Sequence, residues 1–258
     1  MKKSVFYVMV VLLALFSCTR NESDDLDDVF VDVSDILENI SEEWGVTVPY
    51  QDVSNTKTYH LLKDLMVYLR ENVFYYVCPT CSKIPGCTPS ECDSILRINN
   101  KANELIKRND CVTVLISTYL NLFKTIIDDI DNDYDGRDPL CWIKIGKIEV
   151  LYSALSSKMF MSIFSKTEKV QLMALVLEMI KYEGNFINRY APYSIMISIM
   201  LSSDFPPFIE NVKPMLIETG PFPCYELIMN NGYIWPGQDD QASDLIIDLS
   251  KQFIILNK

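Results

Sequence analysis

The chain has 258 residues, 49% hydrophobic and 22% charged, the balance of a folded protein with a sizeable core. Its net charge of −12, with no dense basic stretch, argues against nucleic acid as a partner. Glycine is scarce, eight in all, and no pair has the spacing of a phosphate-cradling loop, which argues against nucleotide binding.

The chain opens MKKSVFYVMVVLLALFSC: two lysines, an apolar run from Val5 to Phe16, then Cys18. A permanent bilayer-spanning helix needs about 20 apolar residues, so this shorter run reads as a cleaved signal. Leu15-Phe16-Ser17-Cys18 resembles the lipobox of bacterial lipoproteins, with Phe16 in place of the usual small residue. The resemblance implies removal of residues 1–17 and diacylation of the Cys18 thiol. The TRNESDDLDD that follows resembles the acidic surface-export signals of Bacteroidota lipoproteins, and Thr19 is not the aspartate that retains enterobacterial lipoproteins at the inner membrane. What this implies is an outer-membrane lipoprotein facing outward, with residues 18–25 as its lipidated acidic tether. A plain solvated tether is the alternative. Losing residues 1–17 removes two lysines and no acids, which leaves a net charge of −14. Residues 19–57 hold eleven acids against Arg20 and Lys57, so the charge is concentrated at the tethered end.

Helical periodicity then runs through a single domain, residues 26–258. Leu26, Val29, Phe30, Val33, Leu37, Ile40 and Trp44 share one helix face, with Gly45 as a stop. A second helix is predicted over roughly 57–77, a third from Ser90 through Ile106, and a fourth from Asp110 to Ile130. Asp138-Pro139 has the cap and first-turn proline of a fifth, and Ser165 with Glu168 forms a capping-box pair ahead of a sixth that Gly184 ends. Prolines divide the last third into short helices, and a final one covers about Gln241 to Leu256. VFVDV and NVFYYV also read as strands, but both lie inside longer helical patterns. The expected fold is all-α, about ten helices in an irregular bundle or a short solenoid of antiparallel pairs.

Four cysteines fall within CPTCSKIPGCTPSEC, residues 78–92. Cys78-Pro79-Thr80-Cys81 looks like a redox motif, but Pro85 and Gly86 follow too soon for the helix that would lower the thiol pKa. The spacing of the four is not that of common zinc knuckles. An exported protein meets oxidising conditions, so Cys78, Cys81, Cys87 and Cys92 are expected to form two disulfides across a loop between helices, in one of three pairings. Cys111 and Cys141 would lie at opposite ends of antiparallel helices, beyond bridging distance. With Cys18 acylated, the odd remainder leaves at least one thiol unpaired.

Candidate chemistry is sparse. His60 is the only histidine and is expected to be a partly buried structural residue on its helix. No Gly-x-Ser-x-Gly and no His-Glu-x-x-His occurs, so no catalytic residue is assigned. In NNGYIWPGQDD, Tyr233 and Trp235 are candidate glycan contacts; the alternative is that they fill a gap between the last helices. Asp131, Asp133, Asp135 and Gly136 resemble the opening half of an EF-hand loop, which implies a weak calcium site. Trp142 stands where the bidentate glutamate belongs, and a solvated turn in which Asp138 caps the next helix is the alternative. No other cofactor is expected. The functional expectation is a surface-anchored domain that binds or scaffolds a protein or glycan partner. The alternative is a carboxylate-dependent hydrolase acting on polysaccharide or cell wall.

Overall fold

The computed structural model describes residues 30–72, 89–131, 147–148, 150–152, 154–181, 195–196, 198–200, 202–203 and 240–258. All regular structure among them is helical. Eight helices have assigned bounds: α1 Ser34–Trp44, α2 Lys57–Asn72, α3 Pro89–Ile98, α4 Asn100–Leu105, α5 Cys111–Asp131, α6 Lys158–Met161, α7 Lys166–Lys181 and α8 Asp240–Asn257. Further helical residues lie within 147–155 and 195–200, giving ten segments and the expected all-α class.

Two helices make the middle of the body. In α7, Leu172 to Met179 are buried without interruption, so this helix has no solvent face over more than two turns. α5 is long and apolar enough to cross a membrane, yet it is mostly buried in the fold and serves as a core helix. Tyr119, Leu120, Phe123 and Ile126 along it are all fully buried. Each such side chain contributes about 1.5–3 kcal/mol by leaving water. Around these two, α1, α5 and α8 pack on α7, α2 packs on α4 and α5, and α3 packs on α4 and α6. The packing of α1 on α7 joins helices far apart in sequence. A solenoid, where each unit meets only its neighbours, does not do this. The architecture is a bundle.

Local signals explain several boundaries. The capping box ahead of α7 is formed: the Ser165 N–H donates to Glu168 Oε2 at 2.8 Å, and the Glu168 N–H donates to Ser165 Oγ at 3.3 Å. Gly45 ends α1 in the left-handed conformation, φ 57°, and its N–H returns to the Ser41 carbonyl. The start of α1 differs from expectation. Phe30 to Val33 are not helical, because tertiary partners take the groups a helix would use. The Val31 N–H donates to Asn121 Oδ1 at 2.8 Å, and the Val31 carbonyl accepts from the Tyr50 hydroxyl at 3.0 Å. Asp32 then accepts from the Ser34 N–H, at 3.0 Å, and from its hydroxyl, at 2.7 Å.

The predicted third helix is two. Asn99 is extended, and its side chain accepts from the Lys101 and Ala102 N–H groups, which starts α4 afresh. Asparagine competes with the helix for its own backbone and favours such caps. Residues 73–88, 132–146 and 182–194 lie outside the described residues, and with them the predicted helix start at Pro139 and the stop at Gly184.

Candidate functional site

Most of the sequence-derived site residues lie outside the described residues: Cys18, Cys78, Cys81, Cys87, Asp133, Asp135, Tyr233 and Trp235. Cys92 falls on α3 and Asp131 is the last residue of α5, and neither side chain is described. Cys111 opens α5 as a buried free thiol, its pKa pushed up to about 12, first by burial and then by the Asp110 charge. That is the chemistry of an inert packing cysteine. His60 is exposed, not partly buried as expected, because its position faces out from α2. Its Nδ1 lies 2.7 Å from the Thr56 carbonyl, one turn back, which makes it part of the helix start. Among the described residues, no three acidic, histidine or cysteine side chains converge as a metal site requires.

One polar cluster does stand out, and sequence reading missed it. The last turns of α1 and of α7 enclose a shallow hollow of about 530 Å³, lined by Asn39, Glu42, Glu43, Glu178 and Lys181. Glu178 is on the otherwise apolar stretch of α7, and its side chain is only 2% exposed. Lys181, 40% exposed, stands one turn further on. Its Nζ lies 2.7 Å from Glu178 Oε2, also pairs with Glu43 of α1, and sits 5.6 Å from the centre of the Trp44 ring. One ammonium thus bridges two carboxylates on different helices beside an aromatic face.

The electrostatics of this cluster are unfavourable to its own charges. Burial pushes the Glu178 carboxyl above the ordinary glutamate value, and the nearby Trp44 indole offsets this only in part. Burial also pulls the Lys181 ammonium below its usual value, with the Lys251 charge adding to the effect. Both partners are displaced toward their neutral forms, chiefly by their loss of water. The Trp44 indole N–H is buried and closes no hydrogen bond of normal geometry. Just past α8, Lys258 donates to the Trp44 carbonyl at the exposed end of α1. Glu178 is i−3 to Lys181, a spacing that in sequence looks like an ordinary surface pair. Only the apolar run around it, LMALVLEMI, hints that the acid is inside.

No protein-family model, no curated protein and no solved structure matches the chain. The residues themselves are therefore the basis for a functional reading.

Proposed function

We propose that the protein is a lipoprotein of the outer-membrane surface, held through Cys18, whose helical body binds or scaffolds a protein or glycan partner. The observation that carries the binding reading is the state of the α1–α7 hollow. Its two bridged carboxylates, Glu43 and Glu178, share one ammonium, so neither stands alone as an acid or base facing a substrate. Outer-membrane placement follows from the lipobox-like LFSC and the acidic run after it. Acyl chains contribute about 0.8 kcal/mol per buried methylene, so two or three hold a protein firmly. Labelling with an alkyne fatty acid tags the wild type and not Cys18→Ala, protease treatment of intact cells removes the protein, and a glycan array identifies a sugar partner if there is one. Labelling of Cys18→Ala defeats the anchor. An array with no signal directs the search to protein partners.

Three accessory proposals accompany this reading. Cys78, Cys81, Cys87 and Cys92 form two disulfides, which non-reducing peptide mapping resolves. Asp131, Asp133 and Asp135 hold calcium weakly, so millimolar calcium raises the melting temperature and Asp133→Ala abolishes the rise. Tyr233 and Trp235 contact the glycan if the array finds one.

The second reading, a carboxylate-dependent hydrolase, is favoured by the raised Glu178 carboxyl, since a general acid needs such a displacement. Release of reducing ends from polysaccharide or cell wall by the wild type, lost in Glu178→Gln, would establish it.

A further inference from the structure

Helix α1 is amphipathic and has two fully buried anchors, Ile36 and Ile40. It lies at the edge of the bundle, on α7. Val33 just before it and Val46 and Val48 just after it are buried as well, and its remaining contacts are polar and peripheral. Lys124 of α5 reaches Asp35 at 3.0 Å near its start. At its end Lys181 pairs with Glu43, and Lys258 meets the Trp44 carbonyl. Gln171 of α7 donates to the Thr47 carbonyl, at 2.8 Å, just beyond. Such contacts are exposed and exchange readily with water.

Among the described residues, the charged groups near the end of α1 are Glu42 and Glu43 on the helix itself, Glu178 and Lys181 on α7, Lys251 on α8 and Lys258 just past it. Of these, Glu178 alone is almost wholly buried, at 2% exposure. It lines the same hollow as Asn39, Glu42 and Glu43 of α1, so the docked helix forms part of the wall that keeps water from it. Departure of α1 would give this carboxylate back to water.

We propose that α1 is a releasable strap: it leaves the bundle as a unit while α7 stays folded, and the buried Glu178 carboxylate biases it toward release. An ordinary structural ion pair predicts the opposite, that removing the Glu178 charge loosens α1. The bias also fixes the response to pH. Protonation of Glu178 removes the penalty of burial, so α1 docks more tightly as pH falls from neutral through the titration of Glu178.

Amide hydrogen exchange on the full-length protein tests this, with rates corrected for the intrinsic effect of pH. The amides of α1 should exchange about tenfold or more faster than those of α7, as expected for a local opening. Glu178→Gln, which keeps the shape and a hydrogen-bond acceptor for Lys181, should slow α1 relative to α7 by about threefold. Lys181→Met should speed it. Exchange of α1 and α7 at one common rate overturns the strap. An α1 that is unchanged or faster in Glu178→Gln overturns the role of the carboxylate.

Discussion

The two ends of α1 are fastened by different chemistry. Before its start, Asn121 of α5 sits inside the fold at 4% exposure. It accepts the Val31 N–H, while the Tyr50 hydroxyl donates to the Val31 carbonyl and lies 3.3 Å from Asn121 Oδ1. One turn earlier on α5, the buried Ser117 hydroxyl accepts from the Gln51 N–H at 3.3 Å. These groups are uncharged, and burial, with the Asp52 and Asp32 charges, pushes the Tyr50 hydroxyl up to about 12, so it stays neutral well into the alkaline range. At the far end, two carboxylates and an ammonium meet with both burial effects against them. Neutral groups lose little on leaving water once they are paired, whereas charges lose several kcal/mol each. One end is therefore a fixed attachment insensitive to pH, and the other is an adjustable one.

Breaking the neutral end should cost the most. Asn121→Ala leaves the Val31 N–H without its acceptor in a part-buried place, a loss of about 2 kcal/mol. For a chain of this size that lowers the melting temperature by about 4–8 °C, readable by calorimetry, and the loss should be the same at pH 5 and pH 8. A strongly pH-dependent loss would erase the contrast between the two ends. Breaking the charged end is milder. Lys181→Met strands Glu178 in the hollow, but the lysine is 40% exposed, so solvent screening reduces the cost to about 1 kcal/mol. The cost should shrink in acid, where a protonated Glu178 no longer requires a cation.

Glu178→Gln sharpens the comparison further, because its effect has the reverse sign. The folded pKa of Glu178 is raised, so its protonated form favours the fold. That contribution is fully present below the ordinary glutamate value of 4.5 and is lost as pH rises through the folded value. Wild-type stability should therefore gain a component on going from neutral toward mildly acid pH. Glu178→Gln should lack that slope and equal or exceed the wild type at pH 7. Urea titrations at a series of pH values read this directly, and a variant less stable than wild type at pH 7 would show that pairing outweighs burial.

The helical class was legible because the core helices follow the three-and-four spacing strongly: Val114, Leu115, Leu122, Phe123 and Ile126 on α5 are all buried. Caps with one possible partner were legible too, as at Ser165 and Glu168. The break at Asn99 was not, since RINNKAN suits either a continuing helix or a cap, and only packing decides. The start of α1 was hidden for a similar reason. Its apolar pattern continues upstream, but the backbone of Val31 is claimed by Asn121, a residue far along the chain. Asn121 did leave a trace, a lone amide within the apolar YLNLF. Glu178 left a fainter one, because Glu43 and Trp44, which complete its surroundings, are set by tertiary packing alone.

The smallest expected effect concerns the ion pair nearest the neutral end. Lys124 is 16% exposed and bridges Asp128, at 2.7 Å on its own helix, and Asp35 of α1, at 3.0 Å. Its ammonium is held above the usual lysine value, chiefly by the hydrogen bond to Asp128, and Asp35 adds less. Asp35 is itself 61% exposed, so most of what it gains from Lys124 is offset by the water it gives up. Asp35 also lies in the first turn of α1, where a negative charge favours the helix dipole. Asp35→Asn removes both contributions and leaves Lys124 paired with Asp128. The cost should be about 0.5 kcal/mol or less, and it should vanish in 1 M salt, where screening acts over roughly 3 Å. Denaturant titrations at low and high salt decide the point. A loss that persists in high salt would mean that Asp35 is part of the fixed attachment, and that the charged and neutral fastenings of α1 are not separate.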